Sequence, residues 1–341
     1  MIELKRSVRN LKPYFVNQVP YRVKMDANET KNYLLDQEAL FEKIEANIYP
    51  DSDATVLRQK MADYYGCGQN NIMVGNGSSD MINLVINGFC ETDDSVLSFT
   101  PSFSMYETYC DMAGARLVKL GSNGDFSVEL DELIDKAREI MPKIVIICNP
   151  NNPTGYYIEK KDVIRALDQI KDSIIILDEA YIDFGGESCV DLVDQYENLI
   201  VMRTLSKAFG LAALRVGCMI TNEAMVNKLW AIKSPYNLNA ISQYYGTMAL
   251  DRSSEVTAFV EEIAIHREKL AAKLKALDFE VYPSKANFIF VKHNRHDLFE
   301  QLCERGILIR KMPMGQVSYY RISVGTLEEN EILIKELEEI L

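Results

Sequence analysis

From about residue 40 to 220, short, wholly apolar, β-branched runs alternate with helix-length patterns. "NIMVG" precedes "SDMINLVINGFC", "SVLSF" precedes "SMYETYCDMAG", "KIVIICN" precedes "KDVIRALDQIK", and "SIIILDE" and "NLIVMRT" follow. A strand with one face in water alternates polar and apolar residues; these runs do not, so both of their faces must be covered. The pattern predicts an α/β fold with a mostly parallel sheet between helices. In such sheets ligands gather at the carboxyl ends of the strands, so chemistry is sought in the residues just after each strand.

Past "SPYN" the order changes. A long helix is predicted from Ser253, as its N-cap, to Leu277. Strands follow at "FEVYPS", "NFIFVK", "ILIRKM" and "YYRISVG", with helices at "HDLFEQLCERG" and "LEENEILIKELEEIL". We expect an N-terminal arm over 1–40, a large domain over 41–244 and a smaller α+β domain over 245–341.

Fifty acidic residues against 37 basic ones give a net charge of -13, which repels nucleic acid and anionic membranes. An anionic ligand must therefore meet a local cluster of positive groups. The seven cysteines are scattered and form no C-x-x-C pair, and the apolar runs are strand-length. These features predict reduced thiols, a cytoplasmic protein and no membrane span. His293 and His296 have an H-x-x-H spacing but lie in a polar turn, so they read as surface residues and no metal is expected.

After the strand "NIMVG", Gly77, Ser78 and Ser79 open a helix, an arrangement suited to a phosphate or to a plain cap. Phe103 and Tyr106 follow "SVLSF" at the same rim, and an aromatic there reads either as core or as a ring that stacks on a flat ligand. Asn152 lies in "NPNNPTG", whose Asn-Pro bonds are candidates for the cis form. Asp178 ends a buried run and demands a positive partner unless it merely caps a turn; Tyr181 follows it. Lys207 ends the next run with Arg215 nearby, and desolvation plus a neighbouring cation depress an amine's pKa towards nucleophilic reactivity. A ligand with a phosphate, an aromatic ring, a ring cation and an aldehyde meets all these groups, and pyridoxal 5'-phosphate has all four.

With "GNGSSD", "NPNNPTG", "DEAYIDF", "TLSKAFGLAALRVG" and "YRISVGT" in this order, the chain resembles the fold-type I pyridoxal-phosphate enzymes of the class I/II aminotransferase group. Within that group it is most similar to histidinol-phosphate aminotransferases, through "VKMDANE", "IYPD", "DEAYIDF" and "GILIR" followed by "YRISVGT". The resemblance implies an aspartate-aminotransferase-like fold in which Lys207 binds the cofactor aldehyde and carries the proton, and Asp178 pairs with the ring nitrogen. It implies that Tyr181 and Asn152 reach the ring hydroxyl and that Phe103 stacks on the ring. Ser78, Ser79, Thr204, Ser206 and Arg215 would hold the phosphate, joined by Tyr49 of a second subunit in an obligate homodimer.

For the substrates, an amino donor and a 2-oxo acid, the resemblance points to Arg321 and Arg310 as anion binders and to Tyr14 and Asn28 in the arm. Tyr14, Asn28 and Glu29 match the family's arm, whereas its Pro-Gly and the Asn-Pro that follows the Asn-Glu are missing. Phe103 replaces a tyrosine and Ala213 a glycine. The implied reaction converts L-histidinol phosphate and 2-oxoglutarate to imidazole-acetol phosphate and L-glutamate, in histidine biosynthesis. Its rivals are an aromatic amino-acid aminotransferase, a threonine-phosphate decarboxylase and a cofactor-sensing regulatory module. The last is disfavoured by the lack of a basic patch or of room for a helix-turn-helix before the first strand.

Overall fold

The computed structural model describes residues 20–31, 34, 47–314 and 317–341. A short strand, β1 (Val23–Lys24), and a helix, α1 (Thr55–Tyr65), precede a seven-stranded sheet. Its strands are β2 (Ile72–Asn76), β3 (Ser95–Thr100), β4 (Arg116–Gly121), β5 (Ile144–Cys148), β6 (Ile174–Asp178), β7 (Leu199–Thr204) and β8 (Val216–Thr221), in spatial order 2-8-7-6-5-3-4. Neighbours from β7 to β4 pair in parallel, and β8 pairs antiparallel with both β7 and β2.

The apolar runs pack on both faces, as their lack of alternation requires. Val145, Ile147, Ile175 and Leu177 join one core cluster, while Ile144, Ile146 and Ile176 join a second on the opposite face. Helices α2 (Ser78–Phe89), α3 (Met105–Ala113), α4 (Leu130–Ile140) and α5 (Lys160–Gln169) connect strands of the sheet, and α6 (Glu223–Trp230) follows β8.

Helix α7 (Ala240–Asp251) runs through residue 245, where a domain break was expected, and packs against α1 and β8. The chain turns at Arg252 into α8 (Ser253–Ala276). Ser253 is the first helical residue rather than the N-cap, which is Arg252, and no side chain caps this end. The tight turn leaves no extended residue in which a serine could adopt the cap conformation.

A four-stranded antiparallel sheet follows, made of β9 (Glu280–Tyr282), β10 (Phe288–His293), β12 (Arg310–Met314) and β13 (Val317–Ser323) in the order 12-13-10-9. Helix α9 (Leu298–Glu304) leads into β11 (Ile307–Leu308), which pairs in parallel with β1 and so ties the described part of the arm to the C-terminal elements. "ILIRKM", expected as one strand, is thus divided at Ile309 between two sheets. The last helix, α10 (Leu327–Ile340), starts with a capping box of Thr326 and Glu329. Among the described residues no helix is long and apolar enough to cross a membrane.

Candidate active site

The carboxyl ends of β2, β3, β5, β6 and β7 form one rim. Because β8 runs the other way, its beginning lies at the same rim, and Arg215 immediately precedes it. A cavity of about 400 Å³ opens there. Ser78, Ser79, Phe103, Asn152, Asp178 and Tyr181 line it, and the segment after β7 adds Thr204, Ser206, Lys207 and Arg215. Eight residues chosen for standing after different strands therefore share one wall with Thr204 and Ser206.

Two glycines allow this convergence. Gly77 has φ +91°, and a Cβ on it would lie 2.5 Å from Nη2 of Arg215. A Cβ on Gly217 would lie 2.1 Å from the backbone nitrogen of Ser78. The N-terminus of α2 can thus press against β8 and the guanidinium, which places free helix N–H groups beside a cation. Arg215 donates from Nη1 to Oγ of Ser206 at 3.4 Å and to the Ala212 carbonyl at 3.1 Å. The Thr204 hydroxyl donates to the Val216 carbonyl at 3.1 Å, joining β7 to β8, and accepts from the Ser206 amide at 3.1 Å, while its side chain lines the cavity.

Lys207 lies at the cavity wall, where Nζ donates to the Ala27 carbonyl at 3.2 Å. Burial pushes its pKa from 10.5 down to about 7; the charges of Arg321 and Arg215 push the same way, and Glu29 opposes them. Asp178, 5 % exposed, accepts from Tyr106 Oη at 2.6 Å and from the Ala180 amide at 3.2 Å. Burial raises its carboxyl above the usual range despite those bonds and the Lys207 charge. Tyr181 accepts from Nδ2 of Asn28 at 3.0 Å, and burial raises its phenol to about 12, so it stays protonated.

The two arginines lie behind the wall. Arg321 donates from Nη1 to Oδ1 of Asn152 at 2.6 Å and from Nη2 to the Asp26 carbonyl at 2.7 Å. Arg310 is its register partner across β12 and β13, so both side chains leave the same face of the sheet. Like charges placed directly opposite disfavour pairing unless something negative offsets them. Tyr49 stands elsewhere: it is 77 % exposed and stacks on Tyr236 at 4.5 Å. Tyr14 lies outside the described residues. His293, expected at the surface, is half-buried against the Phe279 ring at 4.5 Å, while His296 is exposed.

Sequence reasoning placed Tyr106 at the rim with Phe103, as core or as a stacking ring, and missed its bond to Asp178; it gave no role to the carbonyls of Asp26 and Ala27. For those carbonyls the available signal was the "DANE" match in the arm.

Residues 16–337 match the family model described as aminotransferase class I and II. The chain belongs to that family. Its relatives include the histidinol-phosphate aminotransferase of Caldanaerobacter subterraneus subsp. tengcongensis, 41% identical with 100% of both chains covered. That of Ruminiclostridium cellulolyticum is 38% identical, covering 99% of this chain and 98% of the relative. Among solved structures, the histidinol-phosphate aminotransferase of Sinorhizobium meliloti in complex with pyridoxal-5'-phosphate has a TM-score of 0.89 at 20% identity, covering 99% of this chain and 98% of that one. The last likeness fixes the fold, an α/β aminotransferase fold with a mostly parallel sheet.

The donor set of this aminotransferase fits pyridoxal 5'-phosphate. Asp178 is a buried carboxylate with no cationic side chain within 4.0 Å among the described residues, which is what a protonated ring nitrogen supplies. The glycine-lined N-terminus of α2, with Ser206 and Arg215, forms an anion cradle, and Lys207 offers an amine that is partly unprotonated near neutral pH. Phe103 closes one side, its ring set edge to face with that of Tyr106.

Proposed function

We propose that this aminotransferase uses pyridoxal 5'-phosphate to carry the amino group of L-histidinol phosphate to 2-oxoglutarate, yielding imidazole-acetol phosphate and L-glutamate, and that it works as a homodimer. The observation carrying the substrate reading is the arginine pair, Arg310 opposite Arg321 on one sheet face and joined to the cavity through Asn152. A guanidinium pair accepts a phosphate or a carboxylate, as a site serving both substrates must. The full-length likeness to histidinol-phosphate aminotransferases supports it.

When bound, the cofactor supplies an electron-withdrawing ring that takes up the electron pair left as the donor's Cα–H bond breaks. The chain's own groups do the rest. Asp178 holds the proton on the ring nitrogen, and Tyr106 and the Ala180 amide keep the carboxylate aimed at it. Tyr181, protonated and fixed by Asn28, donates to the ring oxygen. Lys207 would accept the proton from Cα at Nζ and release it to the carbon on the other side of the linking nitrogen, a task suited to an amine with a pKa of about 7. Arg215, Ser206 and the amides of Ser78 and Ser79 grip the phosphate, with Tyr49 reaching the site of a partner subunit.

Steady-state assays with histidinol phosphate, phenylalanine and threonine phosphate test the reading. Turnover of the first, with 2-oxoglutarate consumed, is expected. Robust turnover of either other donor without the first contradicts it.

A further inference from the structure

Each residue of the arm segment Asp26–Glu29 turns a different group towards the site. The Asp26 carbonyl accepts from Arg321, the Ala27 carbonyl from Lys207, and the Asn28 side chain donates to Tyr181. The Asn28 amide in turn donates to Oγ of Ser323 at 2.8 Å, which anchors the segment on β13. The Asp26 carboxylate is buried beside Lys24 and does not line the cavity, which leaves the carboxylate of Glu29. Glu29 pairs with Lys24 on its own segment, its side chain is 46% exposed, and it lines the cavity.

The charges give this carboxylate a meaning. The cavity is served by the cations Lys207, Arg215 and Arg321, and the carboxylates among the described lining residues are Asp178 and Glu29. Asp178 is occupied by Tyr106, the Ala180 amide and the ring nitrogen it is built to face. Glu29 also lines a second cavity of about 400 Å³, and Ala212 and Ala213 lie in both walls. It therefore stands where the reaction cavity opens onto further space, on a stretch of wall shared with Ala212 and Ala213, whereas Arg321 is held on Asn152. A donor reacting at Lys207 and fixed by its anion has one end left to place, and the acceptor offered to that end is Glu29.

We infer, building on the function proposed above, that Glu29 is a specificity-determining residue whose carboxylate accepts a hydrogen bond from a ring N–H of the donor substrate. An imidazole provides that N–H, and in its protonated form also the opposite charge. The second substrate, glutamate or 2-oxoglutarate, has no N–H beyond its reacting carbon and carries a side-chain carboxylate that Glu29 repels. One residue therefore favours one half-reaction and opposes the other.

The test is single-turnover kinetics of the cofactor-loaded protein with histidinol phosphate and, separately, with glutamate, for the wild type and Glu29→Gln. The glutamine keeps the side chain's size and removes its charge. The expected result is a kcat/KM for histidinol phosphate lower by about 10- to 100-fold, with that for glutamate equal to or above the wild-type value. A merely structural role lowers both together. A parallel loss, no change with histidinol phosphate, or a loss confined to glutamate overturns the inference while leaving the proposed reaction intact. A wild type that does not turn over histidinol phosphate overturns the proposed reaction, and the inference with it.

Discussion

Lys207 binds its proton less readily in the folded chain than in the unfolded one, with a pKa of about 7 against 10.5. Between those values the unfolded state holds more protons, so stability of the cofactor-free protein rises with pH across that window. Below pH 7 the cost of the buried charge is complete. Lys207→Met removes that charge at similar volume and should raise the melting temperature of the cofactor-free protein by a few degrees at about pH 6, with the gap closing by about pH 10. Thermal melts at both pH values check this, and a gap that widens with pH contradicts it. Tyr106→Phe deletes the 2.6 Å bond to Asp178. A hydrogen bond to a buried charge carries about 1.5–3 kcal/mol, so kcat should fall roughly 10- to 100-fold. Lys207, Asp178 and Asn152 were legible in the sequence because each follows an apolar run too uniform to be anything but a buried strand. The Tyr106 bond was not, since a tyrosine in the first turn of a helix looks the same whether it packs or positions. The bond from the Thr204 hydroxyl to the Val216 carbonyl was not legible either, since only the fold brings those two strands together.

Among elements, the approach of α2 to β8 decides whether the anion cradle exists. Gly217→Ala places a Cβ 2.1 Å from the Ser78 nitrogen and 2.4 Å from the Gly77 carbonyl carbon. Backbone cannot yield as a flexible side chain does, so α2 must move away from Arg215. We expect cofactor affinity to fall at least about 10-fold with the far-ultraviolet circular dichroism unchanged; equilibrium titration with pyridoxal phosphate measures it, and unaltered affinity contradicts the account. Five of the seven strands could be read from sequence because they are apolar on both faces; the exposed edge strand β4, which has no such run, and β8 were not. The division of "ILIRKM" could not: Ile307 and Leu308 pair with Val23 and Lys24, nearly the whole chain away. Local pattern does not report such a partner.

For the whole molecule, the exposed Tyr49 and Tyr236 stack on each other outside the chain's own cavity. If Tyr49 serves a partner's phosphate site, two crippled variants restore each other. Lys207→Ala mixed with Tyr49→Ala under conditions of subunit exchange gives hybrids in which one site has both native residues, and activity should recover towards about a quarter of the wild-type value. No recovery after demonstrated exchange contradicts a shared site. The net charge of -13 says only that anions must be drawn by local cations, and the fold shows how: Arg215 and Arg321 come from distant parts of the chain close enough to act on one amine. The most direct test of the central claim is borohydride reduction of the pyridoxal-phosphate-loaded protein, followed by peptide mapping. The account predicts that the reduced cofactor is fixed on the peptide carrying Lys207; a label on another lysine, or none on a protein shown to have taken up the cofactor, contradicts it.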